Sequence, residues 1–143
     1  MILSRAMQHL AFLLVPGFSA MAFFAALEPL RIANRLAGQQ LYRWTIHAPR
    51  GDHALASNGM QLRCDGPLPE RPDALVVCAG FDPLDHLTPA LLGKLRRDWR
   101  SGCQLGAIDT GAFVLAEAGI LGRETITLHW EAAEDFRRRY PRI

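Results

Sequence analysis

The sequence predicts an α/β fold with a doubly wound, mainly parallel sheet flanked by helices, on three observations. Short continuous apolar runs, His9 to Val15, Asp73 to Ala79 and Cys103 to Ile108, have the length and composition of strands buried on both faces. Between them lie amphipathic stretches with helical spacing, so strand and helix alternate along most of the chain. One strand runs straight into a helix at Asp109, with Ala107 two places before and Gly111 two places after. Small residues at those positions are what a sharp strand-to-helix elbow needs, because bulk there would meet neighbouring backbone.

Residues 1 to 8 read as a lead that adds nothing to the fold, and the first strand begins at His9. Pro16-Gly17-Phe18 turns the chain into a helix from about Ser19 to Ala37, with Phe23, Leu27, Leu30, Asn34 and Ala37 on one face and Gly38 as its stop. Pro29 removes one backbone bond from that helix, so a bend near Ala25 to Pro29 is expected. Leu10 to Leu27 carries no charge, but Pro16-Gly17 divides it, and two short buried elements account for it better than a membrane span or signal peptide.

Tyr42 to Ala48 alternates, with Trp44, Ile46 and Ala48 on one side, and reads as a strand. A polar loop over Arg50 to Asn58, a short strand over Met60 to Cys64 and a Pro-rich connection from Gly66 to Pro72 follow. Gly80-Phe81-Asp82-Pro83 leaves the Asp73 to Ala79 strand, and Thr88 starts a helix carrying Leu91, Leu92, Leu95 and Trp99 that ends at Gly102. After the elbow helix, which stops at Gly119, a short strand is expected over Glu124 to Leu128. Last comes a helix from Glu131 to Tyr140, cut off by Pro141. Ligands bind beyond the carboxyl ends of the strands in sheets of this kind. The loops at Pro16 to Ser19, Gly80 to Pro83, Asp109 to Thr110 and His129 to Trp130 are therefore expected to converge.

The 143 residues, half of them apolar, suit one domain with a single core. A formal charge of +2 with dispersed basic residues gives no nucleic-acid footprint. The cluster Arg137, Arg138, Arg139 and Arg142 suits a solvated helix end, where cations complement the dipole. Three widely spaced cysteines, Cys64, Cys78 and Cys103, form neither a disulfide framework nor a zinc site and fit a reducing cytoplasm. No metal and no cofactor is expected.

Asp109 can cap its helix by accepting from the first free amides, face a pocket from the elbow tip, or do both. In hydrolases that tip is a Ser or Cys nucleophile. His129 is either an ordinary hydrogen-bonded histidine at a strand end or a ligand contact.

Several runs together carry a family resemblance. They are Val15-Pro16-Gly17-Phe18-Ser19, Glu28-Pro29-Leu30-Arg31-Ile32-Ala33-Asn34 and Ser57-Asn58-Gly59-Met60, then Ile108-Asp109-Thr110-Gly111-Ala112-Phe113 and Thr127-Leu128-His129-Trp130-Glu131. From residue 9 onward the chain resembles the ThiJ/PfpI branch of the class I glutamine-amidotransferase-like superfamily, in the form found as the N-terminal sensor half of AraC-type transcription regulators. The resemblance implies a flavodoxin-like sheet and a small-molecule effector. It also implies a homodimer, and DNA contact only through a C-terminal domain outside these residues. It leaves the sensor domain itself, residues 1 to 143, short of its usual last strand and helix. The Asp-Thr-Gly elbow is similar to that of members responding to glycine betaine, carnitine or related amino-acid metabolites.

Enzymes of the superfamily carry Cys where this chain has Asp109, and often His where it has Thr110, whereas His129 matches a position where they often place His. A carboxylate does not attack an amide or aldehyde as a thiolate does, so no catalytic residue is assigned. The expected function is a non-catalytic effector domain for a small cationic or zwitterionic metabolite. Asp109, Thr110, Gly80, Phe81, His129 and Trp130 are the expected ligand-binding residues. The alternatives are a hydrolase or isomerase using Asp109 and His129 with water, and a purely structural dimerisation domain built on the apolar first helix around Phe23, Phe24 and Leu27.

Overall fold

The computed structural model describes residues 6–143 and has one central sheet. The elements in order are β1 (Gln8–Leu14), α1 (Ala20–Ala37), β2 (Tyr42–His47), β3 (His53–Leu55), β4 (Gln61–Arg63), β5 (Ala74–Ala79), α2 (Pro89–Arg100), β6 (Gln104–Asp109), α3 (Gly111–Glu117) and α4 (Trp130–Arg139). The sheet runs β2-β1-β5-β6 with every pair parallel, and β3 and β4 form a separate antiparallel hairpin. The three apolar runs are therefore adjacent and parallel, but burial on both faces holds only for β1 and β5, since β6 is the edge strand and none of its residues is buried.

Strand alternation sorts the side chains into two cores. Ala11, Leu13 and Val15 of the first run join Leu75 and Val77 of β5 beneath Leu91 and Leu95 of α2 and Val114 and Leu115 of α3. Phe12, Leu14 and Cys78 face the other way, under Phe23 and Leu27 of α1 and Ala54 at the hairpin. Phe23 anchors that side through edge-on contacts with Phe12 and Phe18, at centroid distances of 5.3 and 6.1 Å. A third, smaller cluster joins Ala112, Phe113 and Ala116 of α3 to Phe136 of α4.

Local signals set most boundaries. The Ser19 hydroxyl accepts from the Ala22 amide and opens α1, and Gly38, at φ 64°, ends it. Thr88 caps α2 by accepting from the Leu91 amide, with Pro89 at the first helical position. Asn34 does more than face the core. Its side chain accepts from the Leu41 and Tyr42 amides and donates to the Tyr42 carbonyl, tying the end of α1 to the start of β2.

Several expectations are corrected. Gln8, placed in the lead, already pairs with Tyr42 in β1; Ala6 and Met7 are exposed and belong to no element, and lead positions 1 to 5 lie outside the described residues. The Arg50 to Asn58 loop contains β3, whose short pairing with β4 buries Ala54. Ala37 is exposed, and Trp99 is 49% exposed, because the buried stripe of α2 runs through Leu91, Leu95 and Asp98. No strand forms over Glu124 to Leu128. The alternating Ile126 and Leu128 instead pack on the Phe113 and Phe136 cluster, so their burial needs no sheet partner.

Candidate functional site

The elbow is built by backbone strain and close approach. Asp109 is the last residue of β6, paired with Ala79 of β5, and takes φ 56°, a left-handed conformation uncommon outside glycine. A Cβ on Gly111 would run into the Val77 carbonyl oxygen and come within 3.4 Å of the Ala107 Cβ. Only small residues let α3 start this close to the sheet. The capping position belongs to Thr110, not to Asp109, and no side-chain cap hydrogen bond is made there. The expected capping role of Asp109 is therefore absent, because the left-handed turn places it one residue ahead of the cap.

Neighbouring loops are stitched to the elbow. The Thr110 hydroxyl donates to the Gly80 carbonyl at 2.5 Å, and Thr110 is buried. A Cβ on Gly80 would collide with the Gly17 carbonyl oxygen, and that same oxygen accepts from the Phe81 amide at 3.4 Å. The Gly17 amide in turn donates to Leu55 of β3 at 2.8 Å, and the Ser57 amide donates to Phe18 at 2.9 Å. The loop after β1, the hairpin, the loop after β5 and the elbow thus form one continuous backbone assembly at the carboxyl end of the sheet.

These loops surround a cavity of about 850 Å³. Asp109, Thr110, Gly80, Phe81 and His129 all line it, which brings together five of the six expected residues. Trp130 is 78% exposed and lies outside the lining, its ring 5.8 Å from that of His129. Phe81 is 73% exposed and stands at the rim, whereas Phe113 is buried and forms part of the wall. His129 sits at the capping position of α4, with Nδ1 3.7 Å from Glu131 Oε2 and both side chains at least half exposed.

Sequence reading missed the contribution of α4. Glu131, Asp135 and Arg139 follow one another at four-residue spacing, which puts all three on the helix face that lines the cavity. That spacing is legible in the sequence, but nothing local says which face of α4 turns inward. Phe136 decides it by packing edge-on against Phe113 at 4.9 Å. The lining includes the carboxylates of Asp82, Asp85, Asp109, Glu131 and Asp135 and a single arginine, Arg139. Asp135 is held by Arg138 at 2.6 Å.

No thiol reaches this cavity. Cys64, Cys78 and Cys103 are all buried and unpaired. Burial pushes the Cys78 thiol up to about 12, and burial is also the largest cause raising Cys64 and Cys103. No helix among the described residues is long and apolar enough to cross a membrane.

Comparison with known proteins gives a consistent set of relatives, although no family model matches the chain. It is 51% identical over 95% of its length to the HTH-type transcriptional regulator CdhR of Pseudomonas aeruginosa. It is 41% identical over 98% to the HTH-type regulator GlxA of Rhizobium meliloti and 34% identical over 98% to GbdR of Pseudomonas aeruginosa. The matches span 41%, 44% and 39% of those proteins, so the chain covers about two fifths of its curated relatives. Among solved structures, it is similar to an AraC family transcriptional regulator from Pseudomonas putida. The TM-score is 0.80 at 28% identity, with 94% of this chain and 74% of that one covered. DJ-1beta of Drosophila melanogaster shares the fold at a TM-score of 0.72 and 20% identity, over 90% of this chain and 69% of that one.

Proposed function

The chain belongs to the ThiJ/PfpI-type domains of AraC-type, HTH-type transcriptional regulators, and on that premise we propose that it is a non-catalytic effector-binding domain for a small cationic or zwitterionic metabolite. The observation that carries this reading is Asp109. A carboxylate occupies the strained tip of the elbow, on the cavity wall, at the position to which the family resemblance assigns the nucleophile of the enzymes. It has no thiolate chemistry to offer, but it is suited to holding a positive head group.

The rest of the wall supports the same ligand class. Its acidic side chains outnumber its one arginine, so a simple anion is disfavoured and a cation drawn in. In the proposed complex an ammonium group sits beside Asp109, while the backbone amides of Thr110 and Gly111 receive a ligand carboxylate. Gly80, fixed by Thr110, supplies a flat backbone wall. Phe81 offers an aromatic face to the cation from the rim, and His129 closes the α4 side, while Trp130, outside the lining, takes no part. Betaine, carnitine or a similar amino-acid derivative has the right combination of charges.

The regulator as a whole would contact DNA through a separate domain, which accords with the two-fifths coverage of the HTH-type relatives. It would act as a homodimer, with α1 as the contact, since Met21 and Leu36 are 82% and 81% exposed and Phe24 and Ile32 lie on the same side.

Calorimetry with glycine betaine and carnitine on the wild type and on Asp109→Asn tests the effector reading. The substitution keeps the shape of the side chain and its tolerance of a left-handed backbone while removing the charge. Charge-assisted contacts contribute about 1.5–3 kcal/mol, so affinity is expected to fall about tenfold or more. Equal binding to both proteins would remove Asp109 from the site.

A further inference from the structure

The charge on the cavity wall changes sign along α4. Glu131, Asp135 and Arg139 share the face turned to the cavity, and the helix rise separates the first from the last by about 12 Å. Asp82, Asp85 and Asp109 add to the acidic side. Among the described residues that line the cavity, Arg139 alone carries a permanent positive charge.

The fold does not consume that charge. Two carboxylates near this end of α4 are already taken. Asp135, one turn back on the same face, pairs with Arg138 at 2.6 Å, and Glu117 at the end of α3 accepts from the Tyr140 hydroxyl at 2.6 Å. Arg139 itself is exposed and, among the described residues, enters no ion pair. Its backbone is nevertheless held in place by its neighbours. Phe136 packs edge-on against Phe113 at 4.9 Å, and Tyr140 meets the same ring at 6.1 Å, so the last turn of α4 is docked on α3. Burial first, then Glu117, push the Tyr140 hydroxyl up to about 12, and the Arg139 charge beside it pulls the other way.

We infer that Arg139 is the specificity residue of the cavity, pairing with the carboxylate of the ligand and so making the site prefer a zwitterion to a simple cation. This rests on the effector reading above and adds to it the choice between two ligand classes. An acidic wall draws in any small ammonium ion, but it repels the carboxylate that distinguishes a betaine or an amino acid from a plain amine. The amides of Thr110 and Gly111 can orient that carboxylate, yet they are dipoles beside the Asp109 charge and do not offset it. A guanidinium does, because it brings a full charge and a planar donor fork that matches two carboxylate oxygens.

Glycine betaine and choline test this, since they share a trimethylammonium head and differ by a carboxylate against a hydroxymethyl group. Calorimetry on the wild type is expected to show betaine binding about fivefold or more tighter than choline, a modest margin because the guanidinium is exposed. Arg139→Gln is expected to weaken betaine about fivefold while choline holds, and Arg139→Glu to reverse the preference. Asp109→Asn is expected to weaken both probes. No preference in the wild type, a preference that survives in Arg139→Gln, or an equal loss of both probes in that variant would overturn the role of Arg139 and leave the effector reading standing. A wild type that binds neither glycine betaine, carnitine nor choline would overturn the effector reading and this inference with it.

Discussion

Asp109 carries both the strain and the chemistry of the elbow. An L-residue with φ 56° is disfavoured relative to glycine, by about 1 kcal/mol for a short polar side chain, so Asp109→Gly is expected to raise stability by about that amount. Urea unfolding would register the gain, and calorimetry the accompanying loss of a cationic ligand. A variant destabilised by the change would mean that the carboxylate makes a compensating interaction in the fold. The glycines nearby have the opposite character. At Gly111 and Gly80 the space for a Cβ is filled by the carbonyls of Val77 and Gly17, so their smallness is dictated by neighbours far away in the sequence. The small residues around the turn could be read from sequence, but the atoms they make room for could not.

At the scale of elements, α2 shows how a helix can bury charge. Lys94 Nζ lies 2.6 and 2.7 Å from the two Asp98 carboxylate oxygens, and the side chains are only 12% and 5% exposed. Removing one partner leaves the other charge uncompensated, which costs about 3–5 kcal/mol where the pair is buried. Asp98→Ala is expected to destabilise by that much, whereas Lys94→Met with Asp98→Leu is expected to be near neutral. A double-mutant cycle in urea measures the coupling, and additive single effects would show that water screens the pair. The same helix explains a misreading. Leu91, Leu92, Leu95 and Trp99 satisfy helical spacing, yet the stripe that faces the core is rotated toward Asp98, because Lys94 neutralises it. Periodicity counts apolar residues and takes no account of an ion pair that makes a carboxylate buriable.

At the scale of the whole molecule, α1 has an inner and an outer apolar side. Its inner side packs Phe23 and Leu27 into the core, while Met21 and Leu36 project almost fully into solvent a helix-length apart. Light scattering is expected to give twice the chain mass for the wild type, and Leu36→Glu is expected to shift the protein toward monomer without changing its circular dichroism. A monomeric wild type would show that this surface serves no contact between copies of these residues.

The sequence by itself determined the parallel sheet, the boundaries of α1 and α2 and the elbow, because each rests on local chemistry. Two-sided apolar runs need burial, Ser19 and Thr88 cap, Gly38 stops, and Ala107 with Gly111 leaves room for a turn. It also indicated that four loops would meet, since parallel strands bring their carboxyl ends to one edge. Tertiary structure alone decided which face of α4 lines the cavity, that Trp130 stays outside it, and that Glu124 to Leu128 forms no strand. Those outcomes depend on Phe136 docking on Phe113 and on Ile126 and Leu128 finding an apolar cluster instead of a sheet edge. The hydrogen bonds of Thr45 Oγ1 with His9 Nε2 and His47 Nε2, each at 2.8 Å, belong to the same class, because only pairing of β1 with β2 brings the three side chains together.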